Sequence, residues 1–210
     1  MKFTPLPIVF ALLSRTLAFP TPCATKPPYI ITIGDSTSGS TTVSWRANGR
    51  WKDLVENINS TVADYDTIVT IQFGHNDQKS LKLDEYRGNL VTLCADIVAL
   101  GATPIVITPL TRRNFNGDTV KEDFVEWRGK AIAAAKDAGA KWLDLTTAST
   151  DYVNAIGAEN AATYDLSDGD GTHLNAAGGI VFRRDLEEYI TPNEALSEKI
   201  WAGEYATGDE

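Results

Sequence analysis

The chain has 210 residues, 43% hydrophobic and 22% charged, the proportions of an ordinary globular protein long enough for one well-cored domain. Its formal net charge of −9 argues against nucleic acid and anionic membranes as partners. Two cysteines make no disulfide framework.

In chain order, the first residues, MKFTPLPIVFALLSRTLA, have the layout of a secretion signal over 1–18. Lys2 is the basic start, PIVFALL the apolar stretch, and TLA a small-residue cleavage site that predicts cutting after Ala18. The stretch is too short to span a bilayer, so a secreted, extracellular protein is expected. Residues 19–28 then form a leader segment that carries Cys23. YIITIG, ending at Gly34, is a short apolar run of the kind that makes a buried strand; TIVTIQF (67–73), TPIVITP (103–109) and AKWLDL (140–145) repeat it. Asn59 opens a glycosylation acceptor sequence, NST, of consequence in a secreted chain.

LDEYRGNLVTLCADIVALG places Leu90, Leu93, Cys94 and Ile97 on one helical face and stops at Gly101, which predicts a helix with Cys94 as a buried thiol. VKEDFVEWRGKAIAAAKDAG does likewise before Gly139. Strands alternating with helices predict βαβ units and a parallel sheet covered on both faces. The domain is expected over 29–190, with an acidic tail over 191–210.

Three polar clusters fall where ligand sites of such sheets lie, outside the carboxyl ends of the strands. GDST follows the first strand and GHND the second, while DGTHL (170–174) precedes a helical stretch that Asn175 can cap. Nucleophilic catalysis needs a hydroxyl, a base within hydrogen-bond reach and a carboxylate to orient that base. Ser36 offers the hydroxyl and His173 the base, with an ordinary pKa near ~6.5 suited to proton transfer. Asp170, three residues earlier, can reach Nδ1–H of His173 within a single turn. Taken singly, GDST reads as a helix cap and DGTH as a turn. Their order and strand positions favour a site.

Taken together, the clusters resemble the blocks of the SGNH (GDSL-like) hydrolase family, and within it the rhamnogalacturonan acetylesterase branch. GDST (34–37) matches the first block, GHND (74–77) the third and DGTH (170–173) the fifth. The resemblance covers roughly residues 30–185. It implies a three-layer, flavodoxin-like parallel sheet flanked by helices, with Ser36 as nucleophile and Asp170 and His173 completing a triad. The oxyanion hole it implies consists of Asn76, the Ser36 backbone and the second-block glycine, which STTVSWRANGRW makes Gly39. Asp77 is expected to cap or brace its loop and His75 to have a structural or rim role.

Only Thr37 and Ser38 separate Ser36 from Gly39, where the family has a helix and a strand, about 25–30 residues with their loops. The resemblance therefore implies a sheet lacking one strand and helix near the N-terminus, with about four parallel strands.

The implied activity is a secreted serine esterase that removes acetyl groups from a plant cell-wall polysaccharide such as pectin. The alternatives are a non-catalytic carbohydrate-binding remnant of the same fold and a lipase-like esterase. Arg112 and Arg113, after the third apolar run, could reach the site's rim and hold a sugar-acid carboxylate, against the plainer reading of a solvated basic loop. Trp45 and Trp51 read as helix-packing residues before sugar platforms. No Gly-x-Ser-x-Gly elbow is present, which argues against an ordinary α/β-hydrolase, and with two distant histidines, no Cys cluster and no Gly-x-Gly-x-x-Gly loop, no metal or dinucleotide cofactor is expected. The expected partner is an acetylated polysaccharide or small ester, bound by a monomer.

Overall fold

A computed structural model describes residues 26–35 and 40–182. Four strands form one parallel sheet: β1 (Pro28–Gly34), β2 (Asp66–Gln72), β3 (Thr103–Ile107) and β6 (Lys141–Leu143), in the spatial order β1-β2-β3-β6. The predicted runs sit within a few residues of these bounds, because each is a short apolar stretch whose flanking Gly, Pro or polar residues end the pattern. β1 pairs with β2 along its whole length, from Pro28 opposite Asp66 to Gly34 opposite Gln72. A short hairpin, β4 (Phe115–Asn116) and β5 (Thr119–Val120), forms a separate two-stranded sheet.

The helices are α1 (Thr42–Trp45), α2 (Trp51–Thr61), α3 (Asp77–Ser80), α4 (Leu83–Ala99), α5 (Val125–Asp137) and α6 (Leu145–Ala162); residues 176–182 are helical as well. Between α1 and α2 the chain stays coiled but kinks at Asn48 and Gly49, the latter at φ +82°. Alternation along the strands sends side chains to two separate cores. Ile33, Val69, Ile71 and Val106 point to one face, where Leu54 and Ile58 of α2, Leu90, Leu93 and Ile97 of α4 and Ala131 of α5 cover them. Ile68, Ile105, Ile107 and Leu143 point to the other, under Val153 and Ala161 of α6 and Phe182. The result is a three-layer α/β architecture, as expected. Cys94 is a fully buried free thiol, and burial pushes its pKa up to about 12. Cys23 lies outside the described residues.

Among the described residues the sheet has four strands, and β1 is its edge. The strand shows the consequence: Ile30 is 45% exposed, while Ile68 beside it on β2 is buried. A cleft of about 370 Å3 lies between β1 and α2, walled by Ile31, Ile33, Trp45, Arg50, Leu54 and Asn57.

Candidate active site

The site is assembled from the loops at the carboxyl ends of β1 and β2 and from the turn before the helical residues 176–182. Asp35 leaves β1 and is buried. Its Oδ2 accepts the N–H groups of Gly74 and Asn76, each at 3.0 Å, and its own N–H donates to the Gln72 carbonyl at 3.2 Å. One carboxylate thus laces the two strand exits together. Burial raises the Asp35 pKa, helped by the nearby Asp77 charge and opposed by the hydrogen bonds from Asn76, Gly74 and His75. Gly74 makes the lacing possible: its φ is +136°, and a Cβ there would stand 2.6 Å from Pro109 Cγ.

Ser36 and Gly39 lie in the segment 36–39, outside the described residues. The residues on either side, Asp35 and Ser40, are both buried. Asn76 spans this gap: its Nδ2 donates to the Asp35 carbonyl at 3.0 Å and the Ser40 carbonyl at 3.4 Å, while Oδ1 accepts from Lys79 Nζ at 2.9 Å. The Asn76 side chain therefore ties Asp35 to Ser40, the described residues on either side of Ser36. Donating to an oxyanion requires it to release one of these carbonyls, the longer bond to Ser40 being the weaker.

Asp77 begins α3 and is fully buried; its Oδ1 accepts the N–H and hydroxyl of Thr42 at 3.0 and 2.6 Å. It braces its loop, joining α1 to the β2 exit. Burial raises its pKa against the Thr42 hydrogen bonds, and its Oδ2 finds no partner among the described residues. Nearby, the Tyr86 hydroxyl donates to the Phe73 carbonyl at 2.8 Å.

His75 lies on Phe124, ring centroids 4.6 Å apart, with Nδ1 4.0 Å from Asp35 Oδ1. Burial, then the Arg112 charge, lowers its pKa to about 4; the His173 charge contributes in the same direction. A histidine whose folded pKa lies below its unfolded value stays neutral in the fold while the unfolded chain protonates. Its contribution to stability is thus present above the ordinary pKa and lost as pH falls toward about 4. Denaturant melts between pH 7 and 4 are expected to lose roughly 3 kcal/mol through this group, and His75→Phe should flatten that part of the slope. An unchanged slope in the variant would overturn the assignment.

The structure brings Asp170 and His173 together, and the pairing is local. His173 Nδ1 lies 2.9 Å from Asp170 Oδ2 and 3.2 Å from Oδ1. The N–H groups of Thr172 and His173 also donate to Oδ1, at 3.1 and 3.0 Å. The hydrogen bonds from the backbone and ring of His173 hold the Asp170 carboxyl at about 2, well below the usual carboxylate range. The imidazole side chain is 52% exposed, and its Nε2 lies on the ring's far side from Asp170, where a substrate can meet it. Asn175 caps the next helix, accepting the Gly178 N–H at 2.9 Å.

The two arginines are placed differently from the expectation of a carboxylate clamp. Arg113 is not at the rim: its side chain is wholly buried, with Nε on Asp165 Oδ1 at 2.7 Å. Arg112 is mostly enclosed, with Nη1 donating to Gln78 Oε1 at 2.7 Å and its guanidinium 4.5 Å from the Phe124 ring centre. Both are committed to protein partners, a use that suits a guanidinium where water is excluded. Trp45 is buried, edge-on to Phe73, and Trp51 lies under Arg46, which supports the packing reading of both. Sequence reasoning missed the lacing by Asp35, although its place one residue beyond a strand in GDST was the available signal.

Among the described residues, a parallel sheet, the Asp170–His173 pair and Asn76 beyond the end of β2 fit the SGNH class of hydrolases. The chain belongs to the GDSL-like lipase/acylhydrolase family, whose model matches residues 13–179. It is 32% identical over 127 residues to rhamnogalacturonan acetylesterase RhgT of Bacillus subtilis, a match covering 59% of this chain and 53% of that protein. The chain thus spans about half the length of that relative. It is 25% identical to the probable rhamnogalacturonan acetylesterase YesY of the same organism, over 72% of each chain. Among solved structures, a mutant of Axe2, an acetyl-xylooligosaccharide esterase from Geobacillus, shares the fold with a TM-score of 0.55 and 21% identity, over 71% of this chain and 67% of that one. Among the described residues, no helix is long and apolar enough to cross a membrane.

Proposed function

We propose that this chain is a secreted serine esterase that removes acetyl groups from a carbohydrate, with an acetylated pectin-type polysaccharide as the favoured substrate. The observation that carries the reading is the Asp170–His173 pair, 2.9 Å apart, whose turn is joined through Arg113 and Arg112 to the loop bearing Asn76. Ser36 Oγ attacks the acetyl carbonyl while His173 Nε2 takes its proton. Asp170 fixes the ring with Nδ1 protonated and stabilises the imidazolium that forms. The tetrahedral oxyanion is met by backbone N–H groups of the 36–39 loop and by Asn76 once it turns from Ser40. Collapse expels the sugar alkoxide, which takes the proton from His173. Water, activated by the same histidine, then releases acetate. The acetylesterase relatives support the choice of acyl group.

Acetate release from acetylated pectin, acetylated xylan and aryl acetates tests the reading, alongside labelling of Ser36 by an organophosphonate. Labelling with acetate release is the expected result. Saturable pectin binding without labelling would replace the esterase with a carbohydrate-binding protein, and activity confined to long acyl chains would favour a lipase-like enzyme. Secretion is tested separately by mass spectrometry of the protein from culture medium, where cleavage after Ala18 is expected.

A further inference from the structure

We infer that Arg113 is a positioning residue that clamps the Asp170–His173 turn from its backbone side; the inference rests on the esterase reading for its kinetic consequence. Its Nη2 donates to two carbonyls at once, that of Asp170 at 3.2 Å and that of His173 at 2.7 Å. These are the first and last residues of the turn. Holding both carbonyls at one nitrogen fixes the spacing of the two residues whose side chains must pair. Two more contacts fix the same turn: the Arg113 N–H donates to the Gly171 carbonyl at 2.7 Å, and the Leu166 N–H to that of His173 at 3.1 Å. Gly171 lies so close to Asn114 that a Cβ there would collide with the Asn114 side chain.

The clamp also links the two halves of the site. Arg112, the preceding residue, reaches the His75 carbonyl with Nη2 at 3.5 Å, so consecutive arginines touch the loop bearing Asn76 and the turn bearing His173. Asp165 is the counter-ion that offsets the cost of enclosing the Arg113 charge. A lysine could satisfy Asp165 or the carbonyls, but it lacks the planar fork that reaches both.

Removing Arg113 alone strands Asp165, so the informative variant is Arg113→Met with Asp165→Leu, which removes the ion pair together. Arg113→Lys, which keeps the charge, is the second variant. Each is purified as the full chain, its melting measured, and its imidazoles read by proton–nitrogen NMR, where the chain's two histidines give a simple spectrum. In the wild type, His173 is expected as the Nδ1–H tautomer; in the folded variants it should shift toward Nε2–H, with His75 unchanged as internal control. On an aryl acetate, kcat should fall on the order of a hundredfold with KM little changed. A folded variant that keeps the wild-type tautomer and kcat would overturn the clamp. If the wild type hydrolyses no ester, the esterase reading fails, and the tautomer still decides the clamp.

Discussion

With asparagine at position 170, ester hydrolysis is expected to fall by about four powers of ten while the chain stays folded. The carboxylate accepts from Nδ1 of His173 and so keeps Nε2 as the basic nitrogen. An amide in its place can turn its NH2 toward the ring and stabilise the opposite tautomer, which cannot take the serine proton. The backbone bonds from Thr172 and His173 need only one acceptor oxygen, Oδ1, which an asparagine supplies, so the turn itself should persist. Because the Asp170 pKa is depressed to about 2, its carboxylate is present above the ordinary carboxylate range and is lost only as pH falls through about 2. The acid limb of a wild-type pH–rate profile should therefore not come from Asp170. Steady-state rates on an aryl acetate, with melts of both proteins, decide this; a loss below tenfold would remove Asp170 from the mechanism.

Asp35→Ala is expected to be among the most damaging single changes to stability. It leaves the N–H groups of Gly74 and Asn76 without their acceptor, at about 1–3 kcal/mol for each group. That is a large share of the roughly 5–15 kcal/mol that holds a typical domain together. Asp35→Asn should cost far less, since one amide oxygen can accept both hydrogens and the buried charge disappears. The raised pKa of Asp35 has that sign: burial penalises its ionised form, and the penalty is relieved as pH falls through the folded pKa. Urea melts of the two variants at neutral pH give the comparison. Equal losses would show that the charge, not the acceptor, matters at this position.

The legible parts of this molecule are those whose partners are near in sequence. The strands announce themselves as unbroken apolar runs, and α4 as Leu90, Leu93, Cys94 and Ile97 at helical spacing. The Asp170–His173 pair is readable because three residues make one turn. α6 carries small and polar residues and is interrupted at Gly157, so its apolar periodicity is faint. The β4–β5 hairpin turns at Gly117–Asp118, a recognisable dipeptide flanked by strands too short to alternate. Arg113 is hidden for a different reason. Its acceptors lie 52 to 60 residues along the chain, and only the folded structure brings them to it.

The order β1-β2-β3-β6 runs in the same direction as the sequence. Each strand docks on the one made before it, and no place need be kept open for a later arrival between two earlier strands. The sheet can therefore grow outward from one edge as the chain leaves the ribosome, amino end first. Asp170 and His173 come after the last of these strands, so their turn can form against a sheet that is already complete.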